Sequence, residues 1–213
     1  MKQIIFVFLL TGILSSCLQE NQKVLLFITD GSRDLKLMLT KEVMLMKEVI
    51  EETGFQVVIA SLSGETIAVD SLRLKPDLKL EAVNIDDYDG FIFPCMAPQW
   101  EKIYLPNDEV VGFIERVVEF DRPMAAQTLS VADFAKAGVL VGREYAFTID
   151  PDTSEYPEFK GGLYRGEGVV QDGMIITSGT CPWKTREYGK PDGTREMTEL
   201  LIAAIRKSTQ KSS

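Results

Sequence analysis

Three cysteines and no histidine set the terms on which this chain can do chemistry. Without an imidazole, no Cys-His or Ser-His pair can activate a nucleophile, and no histidine metal site can exist. Cys17, Cys95 and Cys181 are too scattered for a CxxC zinc pattern. Cys95 follows the apolar run Phe91-Ile92-Phe93. Cys181 follows Ile175-Ile176-Thr177, in Ser178-Gly179-Thr180-Cys181-Pro182-Trp183. A thiol just beyond a buried strand is either a small hydrophobe or a reactive group at the rim of a sheet. A third candidate is Thr128 in Gln127-Thr128-Leu129-Ser130. There the short run Met124 to Ala126 gives way to helix-compatible sequence that Gly138 stops. A buried strand turning sharply into a helix is where many α/β enzymes hold a nucleophile. Trp100, Gln127 and Trp183 are the residues expected to line a pocket beside that elbow, although loop aromatics also serve as packing.

The elements that must position these residues follow from periodicity. Lys23 to Thr29 is a continuous apolar run closed by Asp30-Gly31, as a strand buried on both faces requires. From Leu37 to Glu52, Leu39, Val43, Met46 and Ile50 recur at helical spacing. Lys41, Glu42, Lys47 and Glu48 are assigned to the opposite, solvated face. Gln56 to Ser61 reads as the next strand, which completes a right-handed parallel unit. Residues 64–88 are polar enough to hold only short edge strands. Gly90 to Pro94 is another buried strand, and Asn107-Asp108-Glu109 is a good start for a helix over 107–120. Val169 to Thr177 reads as a hairpin turning at Asp172-Gly173. Residues 178–191 read as a long loop carrying Trp183, Arg186, Glu187 and Tyr188. Met197 to Lys207 forms the last helix, and 208–213 is set apart as a polar tail.

The chain has 213 residues, 45% of them hydrophobic and 26% charged, as in one ordinary globular domain. A formal net charge of −9 argues against nucleic acid and against electrostatic docking on anionic lipid. Residues 1–16 (Met1-Lys2, the apolar run Ile4 to Leu10, then Leu14-Ser15-Ser16) have the form of a secretory signal peptide, too short and interrupted for a transmembrane helix. Their ending, Leu14-Ser15-Ser16-Cys17, resembles the bacterial lipobox. That resemblance implies a lipid on Cys17, the bilayer as a partner and an exported domain held in the cell envelope. Only residues 18–22 separate that cysteine from the first strand.

The stretch Arg122 to Gly142 resembles the nucleophile segment of the ThiJ/PfpI family, within the class I glutamine-amidotransferase-like superfamily. That family usually reads Pro-x-Ala-Ala-Ile-Cys-His-Gly, followed by a helix ending Ala-Gly-x-Leu. Counting without a gap puts Thr128 at the cysteine, Leu129 at the histidine and Ser130 at the glycine. The outline extends over residues 23–207, most specifically at Lys23 to Leu37, Phe93 to Pro98, Pro123 to Gly142 and Val169 to Ser178. The resemblance implies a doubly wound, mostly parallel sheet with helices on both faces, a flavodoxin-like three-layer sandwich. Its site would lie at the carboxyl ends of the strands. It also implies a glutamate soon after the first strand, where ungapped counting puts Lys36 in Asp34-Leu35-Lys36-Leu37. The family's Pro-Gly-Gly is here Pro94-Cys95-Met96-Ala97-Pro98.

With all three family positions changed, the expected function is a lipid-anchored, non-catalytic domain that binds a small molecule or another envelope protein. No cofactor and no metal are expected. The alternative is an enzyme with a relocated thiol at Cys95 or Cys181, for which the family's carbonyl-directed and hydrolytic activities would be poor guides. A third reading is a purely structural module, since relatives commonly self-associate as homodimers. Thiol reactivity separates these readings: a depressed pKa at one cysteine favours the enzyme. Both thiols are expected at the carboxyl edge of the sheet. A disulfide between them would close a loop of about 85 residues, although the strands carrying them need not be neighbours.

Overall fold

The computed structural model describes residues 22–32, 34–95 and 107–212. The signal segment 1–16, Cys17, Met96, Ala97, Pro98 and Trp100 lie outside the described residues.

Lys23-Val-Leu-Leu-Phe-Ile forms β1 (Lys23–Ile28), with every residue after the first buried. The helical stretch that follows has three pieces: α1 (Leu35–Met38), a π-helical segment (Leu39–Val43) and α2 (Met44–Glu52). β2 (Gln56–Ser61) pairs parallel with β1. Residues 64–88 supply a small hairpin of β3 (Ile67–Val69) and β4 (Leu72–Leu74), then the edge strand β5 (Leu78–Lys79). β6 (Gly90–Phe93) is wholly buried. α3 (Asp108–Glu119) is capped by Asn107, whose side chain accepts hydrogen bonds from the N–H groups of Glu109 and Val110. β7 (Met124–Gln127) leads through Thr128 into α4 (Ser130–Lys136). A satellite of two short strands, β8 (Glu144–Tyr145) and β9 (Leu163–Tyr164), follows. The hairpin of β10 (Val169–Asp172) and β11 (Ile175–Ser178) turns at Gly173. The chain ends in α5 (Pro182–Tyr188) and α6 (Thr194–Ser212).

The seven strands of the main sheet lie in the order β10-β11-β7-β6-β1-β2-β5. All neighbours are parallel except β10 and β11. α2 and α6 pack together on one face, while α3 and α4 pack together on the other. The α3 face is aromatic: Phe113 meets Phe91 at 5.8 Å between ring centroids, and Phe134 meets Phe93 at 5.5 Å. This is the mostly parallel α/β sandwich implied by the sequence. From β1 the chain winds outward through β2 and β5, then returns to β6 on the other side. Ligands of open α/β sheets bind at such a reversal, outside the carboxyl ends of the strands.

Two elements differ from the sequence reading. Residues 182–188 are helix, not loop: Pro182 starts it, and Gly189 ends it in the left-handed region at φ 64°. The polar tail is helical as far as Ser212: the Ser208 and Thr209 hydroxyls donate back to the Ile205 carbonyl, and Gln22 donates to Thr209 Oγ1.

Candidate functional site

Three successive neighbours in the sheet, β6, β7 and β11, each deliver one residue to the same place above their carboxyl ends. β7 delivers Thr128. Its φ is +44°, an unusual value for a β-branched residue, and its N–H donates to the Ser178 carbonyl at 2.5 Å. The elbow is therefore real, and the side chain it presents is a buried threonine. Its hydroxyl makes no well-aligned hydrogen bond, yet it lies close enough to the Cys181 sulfur to stabilise a charge there. β6 delivers Cys95 and β11 delivers Cys181, so the strand between their strands ends in Thr128. The two thiols lie within hydrogen-bonding reach of each other, both reduced and both fully buried.

A fourth residue, Glu42, completes the cluster and corrects the sequence reading. Its carboxylate accepts the Cys95 N–H at 2.7 Å, and none of its surface is exposed. It comes from the π-helical segment after β1, so the Glu42–Cys95 hydrogen bond spans the β1–β6 reversal. Glu42 is not on a solvated face. Glu42 thus puts a buried carboxyl beside Cys95, six residues after Lys36. Lys36 itself is exposed and pairs with Asp70 at 2.9 Å. The sequence carries a signal of the burial of Glu42: it lies three residues after Leu39 and four before Met46, inside the apolar stripe.

The electrostatics separate the two thiols. Cys181 is pulled down to about 7, first by the Cys95 thiol donating to it, then by the N–H groups of Lys184 and Trp183 and the Thr128 hydroxyl; burial opposes these. Cys95 is pushed well above the ordinary thiol value by burial and by its neighbour Cys181. The Leu129 N–H, aimed at the Cys95 sulfur, only partly offsets this. Burial, followed by the charge of Cys181, also raises the Glu42 carboxyl well above its usual range. Charge in this cluster is thus favoured on the Cys181 sulfur and disfavoured on Cys95 and Glu42. Glu42 Oε2 has no partner.

The remaining candidates have supporting roles or lie elsewhere. Gln127 donates to the Thr180 carbonyl at 2.7 Å and to Thr194 Oγ1 at 2.8 Å, which ties the elbow to the strand-to-helix segment bearing Cys181 and to the start of α6. Trp183 is half-buried and meets the exposed Tyr188 edge-on at 5.5 Å. Ser130 donates to the Pro94 carbonyl at 2.5 Å, holding the turn before Cys95. A cavity of about 1010 Å³ opens at the other end of the sheet, beside Met124 and Ile175 at the starts of β7 and β11. Among the described residues, no three Cys, Asp or Glu side chains converge to hold a metal.

Comparison with known proteins agrees with this architecture. An uncharacterized protein of Methanocaldococcus jannaschii is 27% identical over 90% of this chain and 86% of its own length. An uncharacterized protein of Archaeoglobus fulgidus is 29% identical over 61% of this chain and 75% of its own. The ThiJ/PfpI domain protein of Brachyspira murdochii superposes with a TM-score of 0.66 at 14% identity, covering 87% of this chain and 96% of that one. DJ-1beta of Drosophila melanogaster superposes with a TM-score of 0.60 at 19% identity, covering 90% and 97%. Residues 22–185, from the first strand to the helix behind Cys181, match the sequence profile of the DJ-1/PfpI family, and the chain belongs to that family.

Proposed function

We propose that this chain is a membrane-anchored DJ-1/PfpI domain of the bacterial envelope that works by thiol chemistry, with Cys181 as the reacting group. One observation carries the reading: a thiol, two backbone N–H groups and a hydroxyl all favour charge on the Cys181 sulfur. A thiolate, not a thiol, is the nucleophile, and a cysteine kept only for packing has its pKa raised by burial. Glu42 is placed to give its proton to the oxygen of a small carbonyl-type electrophile as the sulfur–carbon bond forms.

The rival reading is a non-catalytic binding module. It follows from Thr128 at the nucleophile position and from Pro94-Cys95-Met96 where the family carries its glycines. Of the three changes behind it, the one at Lys36 loses its force, because Glu42 supplies a carboxylate to the crevice. A binding module has no need of a depressed thiol, so the thiol reading is preferred.

The test is the pH dependence of alkylation by iodoacetamide, with peptide mapping of the label. Cys181 should be modified first, with a half-maximal rate at about pH 7, and Cys181→Ser should remove that phase. A midpoint at the ordinary thiol value of about 8.5, or no labelling before the protein unfolds, would return the domain to the binding reading.

A further inference from the structure

We propose that Cys95 and Cys181 form the two halves of a dithiol that reduces a small hydroperoxide and closes to a disulfide. This goes beyond the thiol reading above and rests on it only for the nucleophile, Cys181. Three observations carry it. The two sulfurs lie within hydrogen-bonding reach, although their strands are separated by β7, because the turns after β6 and β11 lean together above Thr128. Both are fully buried, so the reaction partner must be small. Glu42 Oε2, buried in the same cluster, has no hydrogen-bond partner and is available to an incoming peroxide.

The carboxyl group selects the class of oxidant. A leaving thiolate departs readily from a disulfide without a proton, whereas an oxygen leaving group departs poorly unless protonated. An acid against the reactive thiol pair therefore matches cleavage of an O–O bond. In the first step the Cys181 thiolate attacks the peroxide's terminal oxygen. An S–O bond forms, the O–O bond breaks, and the leaving oxygen takes the Glu42 proton and departs as water or an alcohol. Cys181 is now a sulfenic acid and Glu42 a carboxylate. In the second step Cys95 passes its proton to Glu42 and attacks the Cys181 sulfur. The S–S bond forms, the S–O bond breaks, and the departing hydroxide is protonated from solvent. Two electrons leave the sulfurs and two enter the peroxide.

The experiment treats the reduced full-length protein with stoichiometric hydrogen peroxide and maps its peptides without reduction. One disulfide-linked Cys95–Cys181 pair, lighter by two hydrogens, should form per peroxide consumed. Cys95→Ser should stop at a sulfenic acid on Cys181, trapped by dimedone, and Cys181→Ser should yield neither product. Glu42→Gln, which keeps the contact to the Cys95 N–H, should slow peroxide consumption at least tenfold and leave closure by diamide, which needs no oxygen leaving group, comparatively fast. Oxidation of Cys181 to sulfinic or sulfonic acid with Cys95 still free would overturn the proposal. So would equal slowing of peroxide and diamide by Glu42→Gln. If iodoacetamide still modifies Cys181 at about pH 7 while peroxide gives no disulfide, the dithiol fails and the thiol reading stands.

Discussion

Glu42 shows what a single buried carboxyl does to the stability of the protein that holds it. Its folded-state pKa is raised, so the folded chain keeps a proton that the unfolded chain gives up at the ordinary carboxyl value. The stability associated with that proton is complete below the unfolded pKa and is lost as pH rises toward the folded one. Glu42→Gln removes the ionisation but keeps an oxygen for the Cys95 N–H. Thermal melts should therefore show the variant more stable than the parent at neutral pH, with the gap closing toward about pH 4, below the unfolded value. A gap that stayed constant across this range would mean that Glu42 is ionised in the folded protein. Thr128 is the opposite kind of residue, legible in place but not in role. Its position follows from the strand-to-helix composition, whereas its closeness to Cys181 depends on how far β11 runs before the chain turns. No local spacing encodes that distance.

Among the elements, those with one dominant signal are legible in the sequence and those with two competing signals are not. β1, β2 and β6 are unbroken apolar runs, and the β10–β11 hairpin is marked by Asp172-Gly173. α5 is hard to see in the sequence because it is short and polar, although Pro182 and Gly189 bracket it. The helix after β1 is legible along its apolar stripe, yet its π-helical segment carries Glu42, a charged residue whose burial composition argues against. Gly179 illustrates a constraint at the level of elements. It follows β11, and a Cβ there would collide with the backbone of Phe147 and Glu167, from the satellite over the sheet. Backbone cannot step aside as the end of a side chain can. Gly179→Ala should cost about 1–3 kcal/mol, read as a lowered midpoint in urea. It should also slow Cys181 alkylation, because Cys181 lies two residues further on. An unchanged midpoint would mean that the satellite moves as a unit and is not fixed against β11.

For the molecule as a whole, the anchor is the property to test. The segment before the first strand combines Lys2, a short apolar core and Leu14-Ser15-Ser16-Cys17, and a formal net charge of −9 gives anionic lipid no electrostatic hold. Attachment would therefore depend on acyl chains. Among the described residues, no helix is long and apolar enough to cross a membrane. Mass spectrometry of the natively expressed protein should find acyl groups on an N-terminal Cys17, and Cys17→Ser should release the protein from the membrane fraction. An intact Met1 terminus, or a free amine at another residue, would refute the anchor.

The parallel sheet turns that anchor into a compass. Five residues separate Cys17 from Lys23, so the tether reaches at most about 20 Å. It enters β1 at the end of the sheet where Asp89 receives the Lys23 N–H and Gln22 donates to Thr209. The thiols stand at the other end, a further six-residue strand away, about 20 Å on. A lipid on Cys17 would moor the protein by its floor and leave its doorway facing open water. Whatever meets Cys181 would then come by diffusion through the aqueous compartment, and molecules dissolved in the bilayer would meet the blind side.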